Sequence, residues 1–221
     1  DRVETALSAY QSAFQADARN PETWFALVRA YDRAEQPESA VKVLLRLKPE
    51  ELTTADRLRR ARALAQHRRI PEALEDVRAL LAAKPGDAAI LSEAAVLEEA
   101  ARNHEAAAAR YEELGRLQGE TPELCARVGT LYRWAGKPDV ALEWYMKALR
   151  QPSTAAVSNA VVWGLTAAGV ETGEPASALP WARQLLANQP DDPEAVALAI
   201  RALMRGGAAA EAVAAFDRLA A

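Results

Sequence analysis

The histidines and the cysteine are the first candidates for chemistry in this 221-residue chain, because their side chains act as general bases, nucleophiles and metal ligands. His67 and His104 each stand alone near a predicted turn. They lack the i and i+4 spacing that places two imidazoles on one metal ion. The single cysteine, Cys125, excludes a disulfide framework and a cysteine zinc cluster. We interpret the histidines as solvated turn residues and Cys125 as a small apolar residue of the core.

Acidic pairs and glycine pairs give no stronger indication of catalysis. We interpret Glu98–Glu99 as a solvated helix face, Asp191–Asp192 as a helix cap with its flank, and Gly206–Gly207 as a turn between helices. The sequence contains no glycine-rich phosphate loop and no nucleophile elbow. It therefore predicts a protein that is not an enzyme and that holds no cofactor and no metal.

Composition excludes two further classes of protein. The formal net charge is −4, with 27 Lys and Arg against 31 Asp and Glu, so no excess positive charge is available for nucleic-acid phosphates. No apolar run reaches the roughly 18 residues of a membrane span, so we expect this segment to make no membrane contact. The chain begins at Asp1 without a methionine or a signal peptide, and we expect it to be a piece of a longer protein.

An alanine recurs along the chain with a nearly constant period. Successive members are separated by 34, 33, 34, 34, 37 and 34 residues: Ala6, Ala40, Ala73, Ala107, Ala141, Ala178 and Ala212. Most of these alanines are followed by apolar residues four and seven positions later, on the same face of a helix. A constant small residue allows two helices to approach closely. The period therefore predicts a repeated helix that packs against its neighbours.

A second helix precedes each of these alanine-containing helices. In the stretch 21–34, Trp24, Leu27, Val28 and Tyr31 share one face. Prolines mark the first turn of the alanine-containing helices, and glycines mark the end of the helix before. Asp87, Thr121 and Asp192 are predicted N-caps. Each unit thus reads as helix, turn, helix in about 34 residues.

This pattern resembles the tetratricopeptide repeat, whose signature is W-x2-L-G-x2-Y, then A-x3-F, then P. The residues that carry the resemblance are Trp24, Leu27, Val28 and Tyr31 with Ala40, and Val128, Gly129 and Tyr132 with Ala141 and Tyr145. The resemblance implies an all-α fold, a right-handed α-solenoid of about six helix-turn-helix units after a leading half repeat. The implied ranges are the half repeat at 1–20 and repeats at 21–53, 54–87, 88–121, 122–158 (with an insertion), 159–192 and 193–221.

Two segments depart from the pattern. After Pro49 the spacing is irregular, and Arg57 and Arg60 stand where apolar residues are expected. We expect a shift of one position there, with Leu58, Ala61 and Ala65 facing inward. The segment from Ser153 to Thr172 has three extra residues, which predict either a lengthened first helix or a looser loop.

The resemblance also implies a binding surface, because the first helix of each unit lines the concave groove in this family. The candidate partner-binding residues are Phe25, Arg29, Arg33, Arg133, Trp134, Trp163, Arg201 and Arg205. Arginine and tryptophan dominate binding hot spots and suit an extended acidic or planar ligand. For Phe25 and Trp163 the alternative is packing against neighbouring helices, and we interpret Trp144 and Trp181 as packing residues.

One familiar function of the family is not expected here. Members that bind chaperone tails hold a terminal carboxylate with a lysine and an asparagine. The corresponding positions in this chain hold Phe25 and Arg29, or Ala126 and Thr130. The sequence therefore gives no indication of a chaperone-tail receptor.

The functional expectation is a non-enzymatic scaffold that docks another protein. The Ala- and Arg-rich repeats resemble the periplasmic arrays of bacterial exopolysaccharide export proteins of the Pel type, which belong to outer-membrane proteins. That resemblance implies a periplasmic location, a role in biofilm formation, and a polysaccharide hydrolase or deacetylase as partner. Two alternatives stay open: a cytoplasmic adaptor or regulatory module, and direct binding of polysaccharide by Trp134 and Trp163.

Overall fold

The computed structural model describes residues 2–17 and 20–220, with side chains described for 4–17 and 20–219. Over these residues the chain has thirteen α-helices, two 3₁₀ turns and no strand. The predicted all-α helix-repeat fold is therefore confirmed. The predicted half repeat at 1–20 and last repeat at 193–221 include residues 1, 18, 19 and 221, which lie outside the described residues.

The helices are α1 Arg2–Ala16, α2 Pro21–Arg33, α3 Pro37–Arg46, α4 Thr54–Gln66, α5 Ile70–Ala83, α6 Ala88–Ala100, α7 His104–Gln118, α8 Pro122–Trp134, α9 Pro138–Leu149, α10 Ala155–Glu171, α11 Leu179–Asn188, α12 Pro193–Arg205 and α13 Ala209–Ala220. The 3₁₀ turns are Pro49–Glu51 and Pro175–Ala178. The chain divides between Ala101 and Arg102 into two compact units, unit 1 with α1 to α6 and unit 2 with α7 to α13.

Helix starts follow from capping residues that the sequence identifies. The predicted N-caps Asp87, Thr121 and Asp192 each accept hydrogen bonds from backbone N–H groups in the first turn of α6, α8 and α12. Asp87 Oδ1, for example, accepts from the N–H of Ile90 at 3.2 Å. These bonds satisfy donors that have no partner within the helix, which is why each helix begins where it does.

In five of the six repeats, the turn between the two helices places one residue in the left-handed region, and the turn between α10 and α11 does not. The five residues are Glu35, Arg68 and Arg102, with φ of 55°, 61° and 61°, and Gly136 and Gly207, with φ of 74° and 86°. The sequence pointed only to the glycines, because glycine adopts this conformation without strain. In the other three repeats a charged residue adopts it, at a cost of about 1–2 kcal/mol each.

Replacing Gly136 by alanine is expected to lower the free energy of unfolding by about 1 kcal/mol. A Cβ at Gly136 would meet nothing within 4 Å, so the cost comes from its φ of 74° alone. Gly173→Ala is the matched control, because Gly173 is equally open and its φ is not positive. Urea denaturation measures both changes. Equal effects at the two positions would contradict the requirement for a left-handed residue in the turn.

A buried charge cluster lies between α4 and α5 in unit 1. Arg57 Nε donates to Asp76 Oδ1 at 3.0 Å, and the Arg60 guanidinium pairs with the other oxygen of Asp76. Arg60 Nε also donates to the carbonyl oxygen of Leu44 on α3, at 2.9 Å. Asp76 is 1% exposed and Arg60 is 6% exposed. One carboxylate thus pairs with two arginines inside the helix stack.

The charge cluster explains how α4 keeps its register. Leu58, Ala61 and Leu64 are buried, and Ala65 is only partly buried. The expected shift of one position is therefore wrong. Arg60 occupies a core position without displacing the helix, because its charge is paired with Asp76 and its Nε donates to the Leu44 carbonyl.

Two side chains that we interpreted as solvated are packed in unit 1. Glu98 is 4% exposed and accepts hydrogen bonds from Arg78 at 2.9 to 3.2 Å, so its assignment to a solvated face is wrong. The His67 side chain is only 11% exposed, and its Nε2 lies 3.1 Å from Asp32 Oδ1. Glu98 is thus buried beside a residue of opposite charge on another helix, and His67 is packed against the Asp32 carboxylate.

A buried tyrosine organises the core of unit 2. Tyr145 on α9 is 2% exposed, and its hydroxyl lies 2.9 Å from the Thr130 hydroxyl. Its ring packs against Gly129 on α8 and Gly164 on α10, where an added Cβ would lie 3.0 and 2.3 Å from ring atoms. Burial raises the pKa of Tyr145. The two glycines allow α8 and α10 to approach the ring from both sides.

Other packing interpretations in unit 2 are confirmed. Cys125 is fully buried, and burial raises the pKa of its thiol, which keeps it protonated and unreactive. Trp144 is 8% exposed in the same core, and Trp181 packs against that core. These three residues therefore contribute apolar contacts to the helix stack.

The extra residues between Ser153 and Thr172 lengthen a helix. α10 has 17 residues, whereas the first helices α2, α4, α6, α8 and α12 have 13 each. Of the two predicted alternatives, the lengthened first helix is correct. Residues 161–170 are all buried except Trp163, which is partly exposed. α10 contacts α8, α9, α11 and α12 within unit 2.

Tyr132 is expected to titrate late. Its hydroxyl donates to Glu112 at 2.6 Å, and burial together with this carboxylate raises its pKa from 10.0 to about 12. The folded state favours the neutral phenol, so the stabilisation is complete below about pH 10 and is lost as the pH rises through about 12. Tyrosinate absorbance should show a late step in the wild type that loses the amplitude of one tyrosine in Tyr132→Phe, because the pKa of buried Tyr145 is also raised and its step remains. If the wild type and Tyr132→Phe gave the same titration curve, the assignment of a late step to Tyr132 would be contradicted.

Candidate functional site

A concave pocket of about 390 Å³ lies between α8, α10 and α12 of unit 2. It is lined by Arg133, Trp163, Ala167, Val170, Glu171, Glu194, Ala197, Leu198, Arg201 and Arg205. We call it the arginine pocket. Four of the eight candidate binding residues meet there: Arg133, Trp163, Arg201 and Arg205.

Arg133 is held in place on two sides. It donates to Glu171 Oε1 at 2.9 Å, and its guanidinium carbon lies 5.3 Å from the centre of the Trp163 ring. The Arg133 side chain is 13% exposed, whereas Glu171 is 42% exposed. Arg133 Nε is buried without a hydrogen-bond partner among the described residues. The pocket wall therefore contains a cation whose position is fixed by Glu171 and by the Trp163 ring.

The two arginines of α12 differ in their engagement. Arg205 donates to the carbonyl oxygen of Val170 at 3.0 Å, which ties the end of α12 to α10. Arg201 is exposed and makes no hydrogen bond or ion pair with the described residues. Arg205 therefore lines the pocket and also holds α12 against α10, whereas the guanidinium of Arg201 is free to contact a ligand.

The remaining candidates lie elsewhere. Phe25 is 5% exposed in unit 1, because the Arg59 guanidinium covers its ring at 4.2 Å and pairs with Glu22. The hydrogen bond from Arg59 lowers the pKa of Glu22. Arg29 and Arg33 are exposed on the same helix, α2. Phe25 thus contributes packing, as the alternative interpretation holds.

Trp134 does not line the arginine pocket. It is 50% exposed, and its ring centre lies 5.3 Å from that of His104 at the start of α7. His104 Nδ1 is buried without a described hydrogen-bond partner, so the interpretation of His104 as a solvated turn residue is wrong. The indole and the imidazole form a separate, half-exposed contact at the helix turn.

Within the described part of the chain, no group of His, Cys, Asp or Glu is arranged to hold a metal ion. No described helix has the length and apolar character needed to cross a bilayer.

Two acidic lining residues, Glu171 and Glu194, were missed by sequence reasoning. Glu194 stands seven residues before Arg201 on α12, and this two-turn spacing was the available signal.

Comparison with known proteins gives a family. Two models described as tetratricopeptide repeat match the chain, one over residues 1–65 and the other over 58–120 and 168–221, which together exceed half of the chain. No curated protein sequence matches it.

Solved structures share the fold at low sequence identity. A tetratricopeptide repeat protein from Parabacteroides merdae has 18% identity and a TM-score of 0.63, covering 90% of this chain and 78% of its own. The C-terminal part of a repeat protein from Cytophaga hutchinsonii has 14% identity and a TM-score of 0.62, covering 99% and 89%. YrrB, described as having an unusual peptide-binding site, has 16% identity and a TM-score of 0.59, covering 76% and 84%. The chain belongs to the tetratricopeptide repeat family.

Proposed function

We propose that the chain is a non-enzymatic scaffold that binds a segment of another protein in the arginine pocket. Repeats of this family are generally non-enzymatic scaffolds for protein–protein interaction. The observation that carries the proposal is the convergence of Arg133, Trp163, Arg201 and Arg205 on one concavity. The peptide-binding site of YrrB supports a peptide as the kind of ligand.

The pocket is organised before any ligand arrives. Arg133 is fixed by Glu171 and by the Trp163 ring, and Arg205 is fixed by the Val170 carbonyl. Arginines that are already ordered lose little side-chain entropy when they bind. They also present several donors in a fixed geometry to the carbonyls and carboxylates of a peptide.

A peptide-display library tests the proposal. We expect the wild-type chain to enrich peptides that Ala197→Trp no longer enriches, because Ala197 is exposed in the pocket lining and an indole there fills it. Ala187→Trp is the control, at an exposed alanine of α11 that does not line the pocket. If the wild type and both variants selected the same peptides equally, the peptides would bind outside the arginine pocket. If the wild type enriched no peptide, the proposal that it binds peptides would be rejected.

We further propose that the scaffold serves bacterial exopolysaccharide export in the periplasm and docks a polysaccharide hydrolase or deacetylase. The Ala- and Arg-rich character of its repeats supports this assignment. Fractionation of the full-length protein should place it with the outer membrane. A cytosolic distribution would instead favour the cytoplasmic adaptor.

Direct binding of polysaccharide has less support. Sugar rings stack on open aromatic faces, and Arg133 lies over the Trp163 ring. Trp134 is half exposed but stands outside the pocket. A titration of tryptophan fluorescence with polymer should therefore be flat.

A further inference from the structure

We propose that the arginine pocket selects an extended segment with opposite charges three residues apart, its basic residue facing Glu194 and its acidic residue facing Arg201. This inference rests on the proposed function and specifies the ligand of the same pocket. The ligand is a protein segment in a polyproline II conformation.

The charges in the pocket lining divide into engaged and available groups. Arg133 is paired with Glu171, and Arg205 donates to the Val170 carbonyl. Among the described residues, no hydrogen bond or ion pair engages the side chains of the remaining charged lining residues, Glu194 and Arg201. Both are exposed. A ligand that complements the pocket therefore meets one negative and one positive group.

The positions of these two groups set the spacing of the ligand charges. Glu194 and Arg201 lie on α12 seven residues apart, which places them on one helix face with about 10 Å between them along the axis. Their side chains do not pair with each other. A bound segment must present its own charges at a similar separation and on one side.

Polyproline II geometry meets both conditions. It rises about 3.1 Å per residue with three residues per turn, so residues i and i+3 lie on the same side about 9 Å apart. A β-strand places i and i+3 on opposite sides. An α-helix needs seven residues, and not three, to place two charges on one side at this separation.

The pocket also accommodates the two residues between the charges. Ala197 and Leu198 lie between Glu194 and Arg201 on α12, and Ala167 and Val170 face them from α10. These four side chains form an apolar surface, so a proline or another apolar residue of the ligand can pack against it without leaving a polar group unpaired.

Capped peptides of matched composition test the inference. The four probes contain Lys-Pro-Pro-Glu, Glu-Pro-Pro-Lys, Lys-Pro-Pro-Lys or Glu-Pro-Pro-Glu, and fluorescence anisotropy with the 221-residue chain reports binding. At low ionic strength the wild type should bind at least one mixed-charge peptide about fivefold to tenfold tighter than either like-charge peptide. Arg201→Glu should prefer the dibasic peptide, and Glu194→Lys the diacidic peptide. Probes with one or three prolines should bind less tightly.

These outcomes separate this inference from the proposed function. If the peptides bind and Ala197→Trp abolishes binding, but preference does not follow charge at positions 194 and 201, the pocket binds peptides and the charge rule is overturned. If no probe binds and the display library is also not enriched, both fail. If the library yields pocket-dependent peptides without opposite charges three apart, only the charge rule fails. Arg201 and Glu194 are exposed, so circular dichroism should show unchanged folding in both variants.

Discussion

Replacing Asp76 by alanine should lower the free energy of unfolding by about 3–5 kcal/mol, because two arginines lose their shared partner inside unit 1. Asp76 and Arg60 are almost fully buried, and Arg57 donates to the same carboxylate. Without it, two guanidinium groups stay close together in a site with little water. Urea denaturation measures the loss. Glu75→Ala, an exposed neighbour on α5, should change stability by less than about 0.5 kcal/mol.

A combined replacement tests whether the cluster itself is needed. One repeat earlier, the positions of Arg57, Arg60 and Asp76 hold Trp24, Leu27 and Val43, which are buried. The triple variant Arg57→Trp/Arg60→Leu/Asp76→Val should recover most of the stability that Asp76→Ala loses, because matched apolar sets replace buried ion pairs at little cost. A triple variant less stable than Asp76→Ala would show that the apolar set does not fit between α4 and α5.

Replacing Gly164 by alanine should cost about 1–3 kcal/mol, because the new methyl group would collide with Tyr145. The added Cβ would lie 2.3 Å from Cζ and 2.5 Å from Cε1 of that ring. Tyr145 is buried and also touches Gly129, so its ring has no free direction in which to move. Gly86→Ala is the control, since a Cβ there meets nothing within 4 Å.

A double variant identifies the collision as the cause. Tyr145→Leu removes the ring atoms that Gly164→Ala would strike, so the two changes together should cost at least 1 kcal/mol less than the sum of their separate costs. Tyr145→Phe should give no such relief, because it keeps Cζ and Cε1 and loses only the hydrogen bond with Thr130. Additive costs in the Tyr145→Leu combination would show that Gly164 matters for another reason.

The features predicted correctly from sequence are those that depend on neighbours along the chain. The recurring alanine reports a helix face, and capping residues such as Asp87 and Thr121 act within one turn. Glycines were predicted to mark the end of the preceding helix, and Gly136 and Gly207 do so with a positive φ, whereas Gly173 does not. At Glu35 the packing of the two helices imposes a positive φ, although this conformation is unfavourable for a residue with a Cβ.

Two of the errors concern charged residues whose partners lie on another helix. Arg60 and Glu98 look like surface residues by type, and their burial depends on Asp76 and Arg78, 16 and 20 residues away. The period of a helix gives the direction of a side chain, but it does not identify a partner of opposite charge on the next helix. The expected register shift in α4 followed from this missing information.

Only part of the candidate binding site could be predicted, because the period of a helix gives the direction of a side chain but not the residues that it meets on other helices. Arg133 and Trp134 were grouped because both stand in the last turn of a first helix, yet one step along a helix turns the side chain by about 100°, and the two lie in different surroundings. Glu171 could not be placed, because it ends the lengthened α10 and the sequence left that segment as a helix or a loop. Arg201 and Arg205 are one turn apart, and both line the pocket.

The burial of α10 has a consequence for how unit 2 opens. In a simple repeat array each helix pair touches only the next, so end repeats can unfold while the middle stays folded. α10 is the central helix of such an array in unit 2: it contacts α8 and α9 of the preceding pair, its own partner α11, and α12 of the following pair, and nine of its ten residues from 161 to 170 are buried. Its amide protons can therefore reach solvent only when most of these contacts break together. Hydrogen exchange along α10 should be the slowest in unit 2 and should report the cooperative unfolding of the unit as a whole.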